Sequence, residues 1–264
     1  MKMSAGTKGK IAVLFALAGF IALYGGLSWA GDATGEARGL FARGNEAYAE
    51  GKYDDAISCY KRVMEQEGYS ASLLYNLANA YYMKKDAGQA VLNYERALYL
   101  DPGDKEIRQN LELAQRTFRL GPESTSGWQG LFNLLNLNRW AVLASLAFVV
   151  FSLLYLLRNV NSGVFTRAPF RIISACSILC LLAGGTGVVV QYENTTDGVV
   201  IRNDSQLRIS PFDSASACSS LPDGKVVSID RAYRDYLLVN GDDGKSGWIK
   251  KNAVAPLVPP EQRT

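Results

Sequence analysis

The sequence predicts a multidomain protein of the α plus β class, in which an α-helical solenoid and a small C-terminal β-barrel are joined by a two-helix transmembrane hairpin. Three patterns predict this architecture. A 34-residue internal repeat lies near the N-terminus, two long uncharged apolar stretches lie in the middle, and short strands with glycine-containing turns follow. A chain of 264 residues has room for these separate parts.

The net charge of +3 does not indicate a nucleic-acid partner. Acidic and basic residues nearly balance within residues 31–120 and within residues 192–264. The excess bases flank apolar stretches, where basic residues orient membrane segments. They form no basic face that could neutralise phosphates, so no nucleic-acid binding is expected. These bases are Lys2, Lys8, Lys10, Arg139, Arg158, Arg167 and Arg171.

The absence of histidine excludes histidine-based general base catalysis and HExxH zinc sites. The cysteines Cys59, Cys176, Cys180 and Cys218 form no CxxC pair. Cys176 and Cys180 share one face of an apolar stretch, and we expect them to pack as inert thiols against residues 141–157. We therefore expect no catalytic activity, no cofactor and no metal. Neither apolar stretch contains an ionisable residue, which argues against a transporter.

Residues 1–30 have the pattern of a secretory signal peptide. A basic segment ends at Lys10, an apolar run follows over residues 11–24, and the small residues Ser28 and Ala30 suit a cleavage site after Ala30. The alternative is an uncleaved signal anchor. Either segment would export the rest of the chain.

Two transmembrane helices are predicted over residues 140–157 and 172–190. The seventeen uncharged residues 141–157 would span about 26 Å as a helix, enough for the hydrocarbon core. The intervening residues 158–171 contain three arginines and no acid, so we expect a cytoplasmic loop. Both flanking domains would then lie outside the bacterial cytoplasmic membrane, on the side that the signal peptide also predicts.

The linker 121–139 contains a short amphipathic pattern. Trp128, Leu131, Phe132 and Leu135 recur at helical spacing, which predicts a helix lying in the membrane interface. The alternatives are a loop or an extension of the first transmembrane helix.

The internal repeat pairs Tyr48 with Tyr82, and Tyr60 with Tyr94, at a constant offset of 34 residues. This period, with its small and aromatic positions, resembles the tetratricopeptide repeat (TPR). The resemblance predicts a TPR domain over residues 31–120, with repeats at about 37–70 and 71–104 and a capping helix at 105–119.

The TPR resemblance implies a concave groove lined by the first helix of each repeat. Asparagine amides there can hold a peptide backbone through one donor and one acceptor contact. Phe41 stands where the carboxylate-binding TPRs have a lysine, so the expected ligand is an extended segment or helix of another protein. Alternatively, Tyr48 and Tyr82 pack the repeat interior. The candidate groove residues are Asn45, Tyr48, Asn76, Asn79 and Tyr82, with Asn110 as a further candidate.

Residues 192–258 contain short apolar segments separated by Asp-Gly and Asn-Gly turns, which predict a small barrel. The motifs Leu221-Pro222-Asp223-Gly224 and Gly247-Trp248-Ile249 resemble those of bacterial SH3-like domains. The resemblance implies a peptide or cell-wall contact surface that includes Tyr236 and Trp248. The alternative is that both aromatic residues pack in the core.

The order of signal, TPR pair, two spans and SH3-like domain resembles the BatE proteins of bacterial aerotolerance operons. The resemblance implies a complex with other Bat proteins, which carry von Willebrand A domains, and work linked to a MoxR-type ATPase. We therefore expect a non-catalytic, membrane-anchored scaffold of an envelope complex, in contact with membrane lipid. The alternative function is an envelope protein that binds peptidoglycan through its SH3-like domain.

Overall fold

A computed structural model of the protein describes residues 35–121, 132, 135–160, 167–193, 196–203, 205–241 and 244–258. The chain forms two compact units. One includes residues 137–189, and the other includes residues 33–136 and 190–264. The predicted signal peptide and most of the predicted interfacial helix lie outside the described residues.

Five helices form two helical hairpins and a final helix, at the positions of the 34-residue repeat. Side-chain caps start several of them: Ser70 accepts the backbone N–H of Leu73, and Asp86 accepts that of Gln89. Close approach of the first two helices requires Gly44, because a Cβ built there would lie 2.6 Å from Cε1 of Tyr60. The helices are α1 (Gly35–Ala49), α2 (Tyr53–Glu67), α3 (Ala71–Met83), α4 (Ala87–Leu100) and α5 (Lys105–Thr117).

The C-terminal region is a curled antiparallel sheet of seven strands, whose buried core includes Leu207, Val239 and Ile249. Its strand order is β3-β2-β6-β5-β4-β1-β7, and a 3-10 turn, Lys251–Ala253, leads into the last strand. The strands are β1 (Asp197–Val200), β2 (Ser205–Arg208), β3 (Ala217–Leu221), β4 (Val226–Tyr233), β5 (Tyr236–Gly241), β6 (Ser246–Lys250) and β7 (Val254–Pro256).

Strand β1 is buried on both faces. Val199 and Val200 are each 0% exposed, and successive side chains of a strand point to opposite sides. Val200 belongs to the core of the sheet, whereas Val199 belongs to the core cluster of the helical repeats, together with Val226 and Leu257. The helices and the sheet therefore share one hydrophobic core.

The second unit contains two long apolar helices, α6 (Leu137–Val160) and α7 (Arg167–Glu193). They approach closely at glycine positions: a Cβ built on Gly184 would lie 2.8 Å from Cβ of Ala144. The guanidinium of Arg158 lies over the ring of Phe170, with 4.1 Å between Cζ and the ring centroid. Two stretches, Leu137–Leu156 and Phe170–Val190, are long and apolar enough to cross a membrane.

The expected packing of the cysteines in α7 is wrong. Cys176 and Cys180 are both exposed, whereas the neighbouring Ser177 is buried. The small residues that bring α6 and α7 together are glycines and alanines, because the helix faces that meet are those of Ala144 and Gly184.

Candidate protein-binding site

The candidate asparagines of the first helices are tied to buried tyrosines by a hydrogen bond that recurs in both repeats. The Tyr60 hydroxyl donates to Oδ1 of Asn45 over 2.8 Å, and the Tyr94 hydroxyl donates to Oδ1 of Asn79. Both pairs are separated by 15 residues, so the bond repeats with the 34-residue period. One function of Asn45 and Asn79 is thus to satisfy a buried hydroxyl of the same repeat.

The two tyrosines remain protonated donors over a wide pH range. Burial raises the pKa of Tyr60 to about 12, and burial also raises the pKa of Tyr94. Ring packing also repeats: the centroid distance is 5.8 Å for Phe41 with Tyr60 and 6.1 Å for Tyr75 with Tyr94. The two repeats are thus built on the same buried arrangement.

Further hydrogen bonds join α1, α3 and α5 along one face. Nδ2 of Asn76 donates to Oδ1 of Asn45 over 3.2 Å, which links α3 to α1. Nδ2 of Asn110 donates to the Tyr75 hydroxyl over 2.6 Å, and this hydroxyl donates to Oε1 of Glu106 over 2.7 Å. We call this face the polar ridge; its members are Asn45, Tyr75, Asn76, Asn79, Glu106 and Asn110.

Tyr48 and Tyr82 lie near the C-terminal ends of α1 and α3 and are both half-buried. Tyr48 packs edge-on against Tyr53 with 5.5 Å between ring centroids, and Tyr82 packs in the same way against Phe118 at 5.7 Å. The Tyr82 hydroxyl lies 3.2 Å from Oγ1 of Thr117. Each ring is therefore held by an aromatic neighbour and remains partly exposed.

Residues 41–105 match the model of the tetratricopeptide repeat family. These helices form a TPR module. This match supports the predicted TPR component, and the matched segment ends at the first residue of α5. Comparison with curated proteins finds none that matches this sequence.

Tyr75 and Glu106 are the members of the polar ridge that the sequence analysis missed. The signal for Tyr75 was present, because Phe41 and Tyr75 also lie 34 residues apart and occupy equivalent positions beside the buried tyrosines. Burial, followed by the hydrogen bond to Glu106, raises the pKa of Tyr75. This hydroxyl also lies within hydrogen-bond reach of the Asn79 side chain.

The sheet packs on α4, the second helix of the second repeat. Arg96 of α4 donates from Nε to the carbonyl oxygen of Leu257 over 3.1 Å and from Nη2 to that of Pro256 over 2.8 Å. Burial lowers the pKa of this guanidinium. A half-buried arginine bound to two carbonyls fixes the end of the sheet to the TPR module.

The turn before β4 contacts the beginning of α4. The side chain of Asp223 lies against Gly88, because a Cβ built on this glycine would overlap Oδ1 of Asp223. Burial raises the pKa of Asp223, and the negative charge of Asp86 raises it further. The sheet thus places a carboxylate at the N-terminal end of α4, which has its own cap, Asp86.

The two candidate residues of the sheet, Tyr236 and Trp248, differ in how far they are exposed. Tyr236 is only 5% exposed, and its hydroxyl donates to Oδ1 of Asp213 over 2.8 Å. Lys250 pairs with the same carboxylate at 2.7 Å, and these bonds lower the pKa of Asp213. Trp248 is half-buried and lies edge-on to Tyr233, with 6.4 Å between ring centroids.

Among the described residues, no three histidine, cysteine, aspartate or glutamate side chains come together as a metal site. The polar ridge offers amides, phenols and one carboxylate. This set can exchange hydrogen bonds with a peptide backbone and polar side chains.

Proposed function

We propose that this protein is a non-catalytic, membrane-anchored scaffold of the bacterial envelope, whose polar ridge holds a segment of another envelope protein. TPR modules in general mediate contacts between proteins. One observation carries the proposal: the sheet packs on α4, whereas the polar ridge lies on α1, α3 and α5. The contact within the chain therefore does not use the face proposed for the partner.

The shared core supports the proposed membrane topology. The TPR module precedes α6 and α7 in the chain, and the sheet follows them. Because the two parts bury Val199 and Leu257 in one core, they must lie in the same aqueous compartment. The chain between them then crosses a membrane an even number of times, as a two-helix hairpin does.

The apolar helices have little protein cover, which supports their assignment to lipid. Only 11% of the most apolar part of Leu137–Leu156, and 17% of that of Phe170–Val190, is buried. If these helices were in water, the exposure of so much apolar surface would be energetically costly. With Arg158 and Arg171 at the inner ends, the positive-inside rule assigns the TPR module and the sheet to the outer side of the cytoplasmic membrane.

The proposed partners are envelope membrane proteins. The order of the parts resembles BatE proteins, so the von Willebrand A-domain Bat proteins are the first candidates. In this proposal, the C-terminal sheet is an SH3-like domain, and its shared core with the TPR module makes both parts one rigid platform. Asn45, Tyr48, Asn76, Asn79 and Tyr82 lie on or beside the proposed partner surface.

Photo-crosslinking in native membranes tests the ridge. A benzoylphenylalanine at position 76 or 106 lies on the polar ridge, and one at position 61 on exposed α2 serves as the matched control. We expect a discrete protein crosslink from positions 76 and 106 that is absent from position 61. The same products from all three positions, or none from the ridge, would contradict the proposal.

The alternative from the sequence, cell-wall binding through the sheet, loses one of its two candidate contacts. Tyr236 is buried and bonded to Asp213, so it is not available to a ligand. Trp248 remains partly exposed.

A further inference from the structure

Three aromatic rings form a row on the surface of the C-terminal sheet. Phe212 lies edge-on to Tyr233 with 6.4 Å between ring centroids, and Tyr233 lies edge-on to Trp248 at the same distance. Phe212 is 47% exposed and Tyr233 is 43% exposed. The guanidinium of Arg234 lies over the Tyr233 ring, 5.5 Å from its centroid. We call Phe212, Tyr233 and Trp248 the aromatic row.

Strand direction places this row at one particular end of the sheet. Strand β1 is antiparallel to β4, and Asp197 is paired with Ser228. From Ser228, β4 continues to Tyr233, which extends about 17 Å beyond the pair at about 3.3 Å per residue. Because β1 begins at Asp197 and runs the other way, the chain enters the sheet from the end that carries Tyr233.

The chain that enters there comes directly from the second apolar helix. Its apolar stretch ends at Val190, and β1 begins at Asp197. Three of the six intervening residues belong to α7, and a helix rises about 1.5 Å per residue. Each remaining residue can cover at most about 3.5 Å when the chain is extended. The connecting chain therefore allows at most about 20 Å between the end of the apolar stretch and the start of the sheet.

The composition of this end suits the headgroup layer of a bilayer. Tryptophan and tyrosine concentrate at membrane interfaces because one part of the ring is apolar and another is polar. An arginine beside them can bind lipid phosphate. Asp235, next to Arg234, is exposed, and a carboxylate is costly in hydrocarbon, so this end would sit in the headgroups and not deeper.

We propose that the aromatic row contacts the lipid interface of the membrane that anchors the chain, and so fixes the sheet on the membrane surface. This inference rests on the membrane anchoring proposed above. Since the sheet and the TPR module share a core, the contact would also fix the direction in which the polar ridge faces. The row's ligand is then lipid, and neither a peptide nor the cell wall.

The test uses the full chain in vesicles of phosphatidylethanolamine and phosphatidylglycerol, with benzoylphenylalanine placed at single positions. Positions 212 and 233 probe the row. Position 155 is the lipid control, because Tyr155 of α6 is 63% exposed on an apolar helix. Position 246 is the matched control in the sheet: Ser246 is exposed at the opposite end, where β5 turns into β6.

We expect lipid adducts from positions 212 and 233 at a yield comparable to that from position 155, with none from position 246. No adduct from position 155 would overturn the membrane anchoring itself. Lipid adducts from position 155 without any from the row would overturn only the inference about the row. Crosslinks from the row to added peptidoglycan, with lipid present, would overturn it as well.

Discussion

Gly88 in the TPR module faces the backbone of Ile201 in the C-terminal sheet, with no room for a side chain between them. A Cβ built on Gly88 would lie 2.8 Å from Cα of Ile201 and 2.9 Å from the carbonyl oxygen of Val200. Both neighbours are main chain, which cannot move aside as a flexible side chain could. The contact of the two parts therefore depends on this glycine.

Gly88→Ala should separate the sheet from α4 at a cost of about 1–3 kcal/mol, the usual range for overpacking. Hydrogen exchange of the full chain should rise in both α4 and β1, because each loses its cover. Gly39→Ala is the matched control, since nothing lies within 4 Å of a Cβ there and α1 should gain stability. Unchanged protection of β1 in Gly88→Ala would show that the shared core does not hold in solution.

The tyrosine–asparagine bonds predict that the TPR module loses stability at alkaline pH. The pKa of Tyr60 is raised from 10.0 to about 12, so the folded state holds its proton more firmly than the unfolded state. The contribution of the Tyr60 proton to the free energy of unfolding is complete below pH 10 and is lost as the pH rises through about 12. Tyr94, whose pKa is also raised, should act in the same direction.

The double variant Tyr60→Phe and Tyr94→Phe should flatten this alkaline loss. At neutral pH each change should cost about 1 kcal/mol, because one hydrogen bond to an asparagine oxygen is lost. Denaturation monitored by circular dichroism between pH 8 and pH 12 measures both effects. Tyr155→Phe serves as the control, since Tyr155 lies outside the TPR module. If the double variant loses stability with rising pH as steeply as the unmodified chain, ionisation of Tyr60 and Tyr94 is not the cause of the loss.

The repeat and the strands could be predicted because their signals are local. The offset of 34 residues indicated a TPR, and the family model matches residues 41–105. The packing of Asp223 against Gly88 could not be predicted, since the residues are far apart in sequence and neither belongs to a motif for this contact. One hint existed: Val199, Val200 and Ile201 form a continuous apolar run, which is typical of a strand covered on both faces.

The role of the asparagines could be predicted only in part. Their position on the first helices follows from the repeat, but the same amide can hold a ligand or a buried hydroxyl. The structure shows the second use for Asn45 and Asn79, since each accepts from a tyrosine. For this reason, alanine at position 79 would disturb folding and binding together, whereas Asn76 and Glu106 are better probes of a partner.

Asp223→Asn should strengthen the contact between the sheet and the TPR module at neutral pH. Burial and Asp86 raise the pKa of Asp223, so its ionisation weakens the folded state as the pH rises above the ordinary value of 3.8. Asparagine keeps the size of the side chain and one oxygen without the charge. The unfolding midpoint should therefore rise at pH 7, and the gain should disappear as the pH approaches 4.

A capping aspartate of α5 provides the control for Asp223. Asp104 accepts from the N–H groups of Glu106 and Ile107 at the start of α5. Asp104→Asn also keeps the acceptor and should give no such gain at pH 7. If the unfolding midpoint of Asp223→Asn at pH 7 lies below that of the unmodified chain, the charge of Asp223 does not weaken the folded state.

The two adjacent glycines of α7 should respond in opposite ways to a large side chain. A Cβ on Gly184 would lie 2.8 Å from Cβ of Ala144, whereas nothing lies within 4 Å of one on Gly185. Gly184→Leu should therefore force α6 and α7 apart, at a cost of about 1–3 kcal/mol. Gly185→Leu adds only apolar surface on the outer face, which suits lipid.

Titration of the full chain with dodecyl sulfate distinguishes the two variants, followed by the emission of Trp140 after the other three tryptophans are replaced by phenylalanine. Trp140 is a suitable reporter because a Cβ on the nearby Gly187 would lie 2.7 Å from its Cε2, so the ring sits between the helices. We expect a lower midpoint for Gly184→Leu and an unchanged one for Gly185→Leu. Equal midpoints would mean that the close contact of the two helices contributes nothing to their association, and that the connecting chain alone keeps them together.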